Sequence, residues 1–552
     1  MRYSIAAFLC LLIFVSCDDD YLMRAPLDNP SDEQFLSNQT EMEMAVTGIY
    51  NSLWFHPPEV GSPWVLTFEH ASDHSWDRNT SGLQALGRGD ATPDNVFTVS
   101  FWTALYRGIG RANYVVTKSS SLREEVPEDD YKRLLAEARF LRAYFYSYLI
   151  DLYGPVPLLI EQTSLEDAEM PRTPVAEIVD FLLSELDEIV DHLPSDVNIK
   201  DRVTRGAVLA LKSRIALHHE RWDAAISASE QLFQSEGYTL HDNYGDLFLY
   251  AGENSEEIIM SIQYLESQQT HPLPQNYYSR MALGHSNKKP SKSLVDSYEM
   301  IDGLPADQSP LFDPDNPHDN RDPRLNYSIV LPNTEFIGYI FNTNPDSTEV
   351  WNFRTSPPIR IENTEATNAY SSFTGYLWRK YADPLDREDR SRSELNVIMF
   401  RLAEVLLNYA EAKIEAGDID QSVYDAINEV RGRPSVEMPA ITPGKSQEEL
   451  RYIVRRERKY ELAGEGARYF DIRRWRIAED VMTTLYGRIP TGFLSESPMI
   501  DEHGTPNYSN ISNRDEMRIV EHRSFDPQRD YLWPIPPLEL ETNPQLEQNP
   551  NY

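Results

Sequence analysis

The sequence predicts a mostly α protein, a scaffold of paired helices that carries a large loop-rich, mixed α/β face. Three observations predict it. The stretch 131–153 places Leu134, Ala138, Leu141, Phe145 and Tyr148 along one helical face. The same period returns much later, at 392–416, 421–431, 446–463 and 466–479. Between them, 237–391 is rich in Pro, Asn, Asp, Gly and Tyr. It is far longer than an ordinary connection, so it reads as a functional surface or an inserted subdomain.

Taken in order, the chain opens with an apolar run from Ile5 to Val15 behind Arg2. A bilayer span needs about 20 apolar residues; this run has the length of an export-signal core instead. Phe14-Val15-Ser16-Cys17 resembles a bacterial lipobox. On that reading 1–16 is a lipoprotein signal peptide, and Cys17 becomes the acylated, palmitate-type anchor. A plain secretory signal is the alternative. Only one other cysteine exists, Cys10, inside the leader. The exported chain therefore has no disulfide, although export usually permits them. Each buried methylene contributes roughly 0.8 kcal/mol, so several acyl chains on one thiol anchor firmly.

Residues 17–40 read as a lipidated tether, acidic and irregular, with Pro26 and Pro30. Residues 41–552 read as one domain, with a helical scaffold at 41–236 and 392–479 and loop-rich regions at 237–391 and 480–552. A helix is predicted from Glu41 toward Trp54. The stretch 55–95 is full of breakers and reads as a loop carrying Trp64 and Trp76. Helices follow from Phe101, and at 173–191, 204–219 and 222–236, with a short one at 287–297. In 392–416 the buried stripe is Ile398, Leu402, Val405 and Tyr409. Short polar links predict helical hairpins, as in a tetratricopeptide array, though no clean 34-residue period is present.

The net charge of −37 disfavours binding to nucleic acid or to anionic lipid. The chain holds 31 Tyr, 21 Phe and 9 Trp. Tyr and Trp join an apolar face to a polar handle and suit the C–H faces and hydroxyl edges of sugar rings.

Several stretches then stand in a familiar order. They are "AEARFLRAYFYSYLIDLYGPVPLL", "RDPRL" at 321–325, "TGYLWRKY" at 374–381, "FRLAEVLLNYAEAKIEAG", "AINEVRGR", "RRERKYELAGEGARYFDIRRW" and "YLWPIPPLELETNPQLEQNPNY". Together with the leader they resemble the SusD/RagB family of outer-membrane nutrient-binding lipoproteins, over essentially the whole chain. The last motif often ends Asn-Pro-Gly-Tyr; here Asn551 replaces the glycine, and Asn tolerates the same left-handed turn. Glu404, Glu411, Glu461, Glu465, Arg468, Asp471, Arg474 and Trp475 read as structural: Glu404 and Glu411 share a helical face, Glu461, Glu465 and Arg468 are spaced for helix-surface pairing, as are Asp471 and Arg474, and Trp475 packs between helices.

The resemblance implies a SusD-like fold and a surface lipoprotein that is not an enzyme. It would capture an oligosaccharide or polysaccharide and deliver it to a SusC-like, TonB-dependent transporter. Asp18, Asp19 and Asp20 resemble a surface-export signal. Peptide capture, a protein-only assembly module and a surface glycoside hydrolase are the alternatives. No Walker sequence, His-Glu-x-x-His or Gly-x-Ser-x-Gly occurs, and the glycine pairs at 108–110 and 464–466 follow no predicted strand. His218 and His219 are adjacent and do not share a helix face. No cofactor is expected: the stretch of Asp313, Asp315 and Asp319 reads as a capped acidic turn, with these three as candidate ligands of a structural calcium on the alternative reading. The candidate ligand-binding residues lie in loops, where binding residues concentrate. They are the rings of Trp76, Trp64, Tyr277, Tyr278 and Trp351, with Asp73, His74 and Arg78 as hydrogen-bonding partners.

Overall fold

The computed structural model describes residues 36–57, 60–163, 169–235, 237–371 and 373–552. Cys17 and Asp18 to Asp20 lie outside them. Helix α1 (Gln39–Tyr50) starts where the Asn38 side chain accepts from Glu41 N. After it, the stretch read as a loop coils into short helical turns at Trp64–Thr67 and Phe68–Ala71. Strand β1 (Ser75–Asp77) follows. Helix α2 (Val96–Lys118) begins five residues before the expected Phe101, because Asn95 caps the amides of Phe97 and Thr98. Its neighbour α3 (Glu128–Tyr153) carries the predicted stripe and is buried nearly all round. Helices α4 (Val175–Ile189), α5 (Arg205–His218) and α6 (Trp222–Phe233) continue the scaffold.

The long middle region is a set of short strands and turns. Strand β2 (Ile258–Ile262) is buried throughout, and β3 (Lys288–Pro290) pairs antiparallel with β1. A four-stranded antiparallel sheet follows, of β4 (Thr334–Phe336), β5 (Tyr339–Phe341), β6 (Glu349–Asn352) and β7 (Ile359–Glu362). The helix expected from 392 is corrected here. Val397–Arg401 is a strand, β8, paired with β2, and Ile398 lies opposite Ser261. A five-residue apolar run fits a buried strand as well as a helical turn, and the edge of β2 decides it. Helices α7 (Leu402–Ala416), α8 (Gln421–Arg431), α9 (Gln447–Glu461) and α10 (Ala467–Arg474) complete the scaffold. A capping box of Ser446 and Glu449 starts α9.

One contiguous apolar core runs from Leu36 to Leu546. The C-terminal stretch closes it. Trp533 N donates to Leu152 O at the end of α3 (2.7 Å), and Asn549 Nδ2 donates to Tyr153 O (2.9 Å) and Trp533 O (2.7 Å). Asn551 holds φ at 64°, as its place in the motif predicts. Among the described residues no helix is long and apolar enough to cross a membrane.

The motif carboxylates do not sit on helix surfaces. Glu461 is fully buried and accepts from Arg324 (3.0 Å), Arg401 (2.7 Å) and Arg433 (2.9 Å). Burial alone would raise its carboxyl; Arg433, Arg401 and Arg324 outweigh that and hold it well below the usual carboxylate range. Glu465 pairs with Arg401 and Lys380, and Glu457 with Arg324 and Arg431. Arg468 pairs with Asp73, and Asp471 with Arg458 and Arg474. Trp475 donates to Glu411, which also holds Arg474. Glu404 takes Arg214 through both oxygens. Asp471 and Arg474 make the pair that helical spacing predicts, 2.8 Å apart, while Glu461, Glu465 and Arg468 instead tie distant segments together inside the core.

Two buried histidines give a pH-dependent stability. Burial holds His70 down at about 3 and His271 at about 4. Unfolded histidine titrates near 6.5. Both folded values are depressed, so the contribution is complete above about pH 6.5 and is lost as pH falls toward the folded values. Each costs about 1.4 kcal/mol per pH unit in that interval. The midpoint of urea unfolding is expected to fall from about pH 6.5 to about pH 5, before most carboxylates titrate. A flat midpoint across that interval contradicts neutral burial.

Candidate functional site

The strand pair β1–β3 sets the site. Its register places Trp76 opposite Lys289 and Asp77 opposite Lys288. Because side chains alternate across a strand, Asp77 and Lys288 form a buried ion pair on one face. Trp76 and Lys289 lie on the other. Phe373 closes over them: its ring meets Trp76 edge-on at 5.3 Å, and the Lys289 ammonium stands 4.9 Å from its centroid. The Arg518 guanidinium stacks on Phe373 at 3.9 Å. Trp76 Nε1 donates to Glu521 Oε2 (3.1 Å).

Arg78 extends the pairing by donating its backbone N–H to Asn287 O (2.9 Å). Its guanidinium donates to Tyr370 O and lies 5.5 Å from the Tyr370 ring. Arg280 donates to the same carbonyl (3.2 Å). Tyr370 is the most exposed aromatic ring near this corner, at 66%. His285 is half-buried beside it; burial first, then Arg280, Arg78 and Arg390, hold it below its ordinary value.

The expected residues divide sharply. Trp64, Tyr277 and Tyr278 are buried. Trp64 donates to Leu53 O and packs among Phe68, Phe101, Tyr144 and Tyr148. Tyr277 stands edge-on to His70. Tyr278 donates to Asp383 O and supports the apolar underside of the β4–β7 sheet. None of the three offers a ring face to a sugar. Asp73 and His74 turn inward, to Arg468 (2.8 Å) and Glu69 (2.8 Å). They cannot reach ligand hydroxyls while those contacts hold. Trp76 is a wall of the corner rather than a platform, because Phe373 and Lys289 cover it. Arg78 remains partly exposed. Trp351, on β6, is 42% exposed with Arg360 5.5 Å from its ring. Among the described residues no hydrogen bond or ring contact joins Trp351 to Trp76 or Arg78.

Arg280, Lys289, Tyr370, Phe373 and Arg518 were not anticipated. One local signal was available for them: Lys288-Lys289-Pro290-Ser291-Lys292 is a basic run in an acidic chain.

The stretch of Asp313, Asp315 and Asp319 forms the capped acidic turn. Asp313 accepts from Asp315 N (2.9 Å) and Asn316 Nδ2 (2.9 Å), so its carboxylate closes its own turn. Among the described residues no three of His, Cys, Asp and Glu come together to hold a metal ion. His218 and His219 both reach Asp151, at 2.8 and 3.1 Å. Adjacency does not separate them, because His219 has left the helical conformation at the C-cap of α5. They border an internal cavity of about 60 Å³ lined also by Tyr144, Tyr148, Arg214 and Phe470. That space suits a few waters rather than a sugar.

Helical hairpins thus carry a large irregular face with an aromatic and cationic corner on it. A sequence profile of the SusD family matches residues 255–552, and a second, described as starch-binding associating with outer membrane, matches 26–217. The chain belongs to the SusD/RagB family of outer-membrane glycan-binding proteins. Its fold is similar to that of a SusD-like carbohydrate binding protein from Bacteroides fragilis, with 30% identity and a TM-score of 0.79. That match covers 93% of this chain and 100% of the other. Surface glycan-binding protein A from Bacteroides thetaiotaomicron, solved in complex with laminarihexaose, shares the fold at 19% identity and a TM-score of 0.66, covering 94% and 100%. SusD-like protein P25 of Formosa agariphila is 24% identical over 509 residues, 88% of this chain and 92% of the relative.

Proposed function

We propose that this chain captures an oligosaccharide or polysaccharide at the cell surface and hands it, chemically unchanged, to a TonB-dependent transporter of the outer membrane. The observation that carries this is the match along 93% of the chain to a SusD-like carbohydrate binding protein. The complex of a more distant neighbour with laminarihexaose adds to it. Cys17 carries the lipid on this reading, and Asp18 to Asp20 direct the protein outward. Residues 41–552 then form the capture unit behind a tether at 17–40. The consecutive hairpins α2–α3 and α5–α6 support a tetratricopeptide-like description of the scaffold. Trp351, Tyr370 and Arg78 are the residues we assign to ligand contact, since each presents open surface on the irregular face.

Capture alone moves nothing through a membrane, so a barrel partner follows. A stable lid on a barrel buries more than about 1,200 Å². Mild detergent extraction is expected to yield the protein with a barrel in equal amount, and Cys17→Ala is expected to leave a soluble chain without one. A glycan array on the extracted complex is expected to retain at least one oligosaccharide. Extraction of the intact protein alone, with no glycan retained, sinks the proposal.

A further inference from the structure

The corner around Lys289 has an unusual charge balance. Arg78, Arg280, Lys289 and Arg518 converge there, on a molecule whose net charge is −37. Where the Arg78 and Arg280 side chains donate, they donate to neutral oxygens of Asn79 and Tyr370. Lys289 is fully buried, and among the described residues neither its ammonium nor Arg280 Nε has a hydrogen-bond partner. A buried cation without a partner is costly, and proteins normally satisfy one. Both Lys289 and Arg518 stand against the Phe373 ring, at 4.9 and 3.9 Å from its centroid.

The neighbouring carboxylates already have partners. Asp77 is paired with Lys288. Glu521 takes Arg523 (2.8 Å) and Trp76. Glu365 accepts from Arg280 N (2.5 Å) and Ser286 Oγ (2.8 Å). Burial, then Arg78, Arg280 and Arg518, hold the Lys289 ammonium well below its ordinary value, with Glu365 opposing them. The Arg78, Arg280 and Arg518 guanidiniums therefore crowd one another around Lys289, Glu365 is the carboxylate that opposes them, and an incoming anion would relieve them further. Exposed Tyr370 beside them gives a sugar ring a face to rest on.

We infer that the corner formed by Arg78, Arg280 and Arg518 around buried Lys289 takes the anionic groups of an acidic saccharide, carboxylate or sulfate, with Tyr370 against the ring that bears them. This rests on the glycan-capture reading and narrows its ligand class. Guanidinium forks match both groups bidentately, and such charge-assisted bonds are stronger than neutral ones.

The test titrates the detergent-solubilised full chain by calorimetry with three probes: oligogalacturonate for carboxylate, carrageenan oligosaccharides for sulfate, and laminarihexaose as the neutral arm. At least one acidic probe is expected to bind about tenfold more tightly than the neutral one. Its affinity is expected to fall about tenfold between 50 and 500 mM NaCl, because salt screens exposed charge. Arg78→Gln and Arg280→Gln are each expected to weaken the acidic probe by about tenfold, and Arg280→Gln to leave the neutral one unchanged. Arg518→Gln, at an exposed position, is expected to weaken the acidic probe too and keeps the test independent of folding. Neutral binding equal to acidic binding, insensitive to salt and to all three variants, overturns the inference and leaves glycan capture standing. Binding of no saccharide at all overturns both.

Discussion

Glu461→Gln is expected to lower the stability of the folded chain by about 3–5 kcal/mol, the largest effect of any single isosteric change proposed for this protein. Three guanidinium groups converge on the Glu461 carboxylate, and its backbone carbonyl takes Arg401, Lys380 and Tyr244 as well. The amide that replaces it carries no charge and turns an N–H toward a cation. Replacing such a whole network by apolar groups can be neutral, but removing one member leaves the others buried and uncompensated. The pH dependence has a definite sign. The folded carboxyl titrates below its unfolded value, so its contribution is present above about pH 4.5 and is lost as pH falls. The gap between wild type and Glu461→Gln is therefore expected to be full at neutral pH and to narrow in acid. Guanidinium titrations at both pH values measure it, and a neutral-pH loss below about 1 kcal/mol would remove the network from its assigned role.

Trp64→Ala is expected to cost about 3–5 kcal/mol as well, from the emptied volume and the lost ring contacts. The indole stands 4.7 Å from Tyr148 and 5.9 Å from Phe101, with its N–H on Leu53 O at 3.0 Å. The melting temperature is expected to drop while the glycan affinity of the folded fraction stays unchanged. Trp351→Ala is expected to do the reverse, since that ring is 42% exposed. A Trp64→Ala variant that keeps its melting temperature but loses affinity would return Trp64 to the binding surface.

These two tryptophans show what the sequence can and cannot tell. The long helices were legible because their apolar spacing is local: α3 spans 128–153 where the stripe places it, and α9 spans 447–461. The stretch from Trp64 to Arg78 was read as an exposed binding loop because its polar and aromatic residues lack any period. Its true environment depends on partners far along the chain. Asp73 turns inward to Arg468, 395 residues away, and Glu69 accepts from Gly466 N, 397 residues away. A β-carbon on Gly466, whose φ is +85°, would lie 2.1 Å from Val65 O, so that glycine is what lets the two segments touch. No local pattern encodes such pairs. The same limit hid Arg280, Lys289 and Arg518, which become one cluster only after three segments meet.

The closure of the core by the C-terminal stretch bears on when this protein can fold. Leu152 and Tyr153 wait for Trp533 and Asn549, and the carbonyls of Ser72 and Ser75 wait for Arg523, some 450 residues later. Contacts of such separation form slowly, because the loop between them must be ordered before they reward it. While the chain is being synthesised, its first helices can pack on one another but lack the C-terminal segments that close the core over them. Completion of the native core thus depends on segments made hundreds of residues after the helices they close, and those helices stay short of their final partners until then.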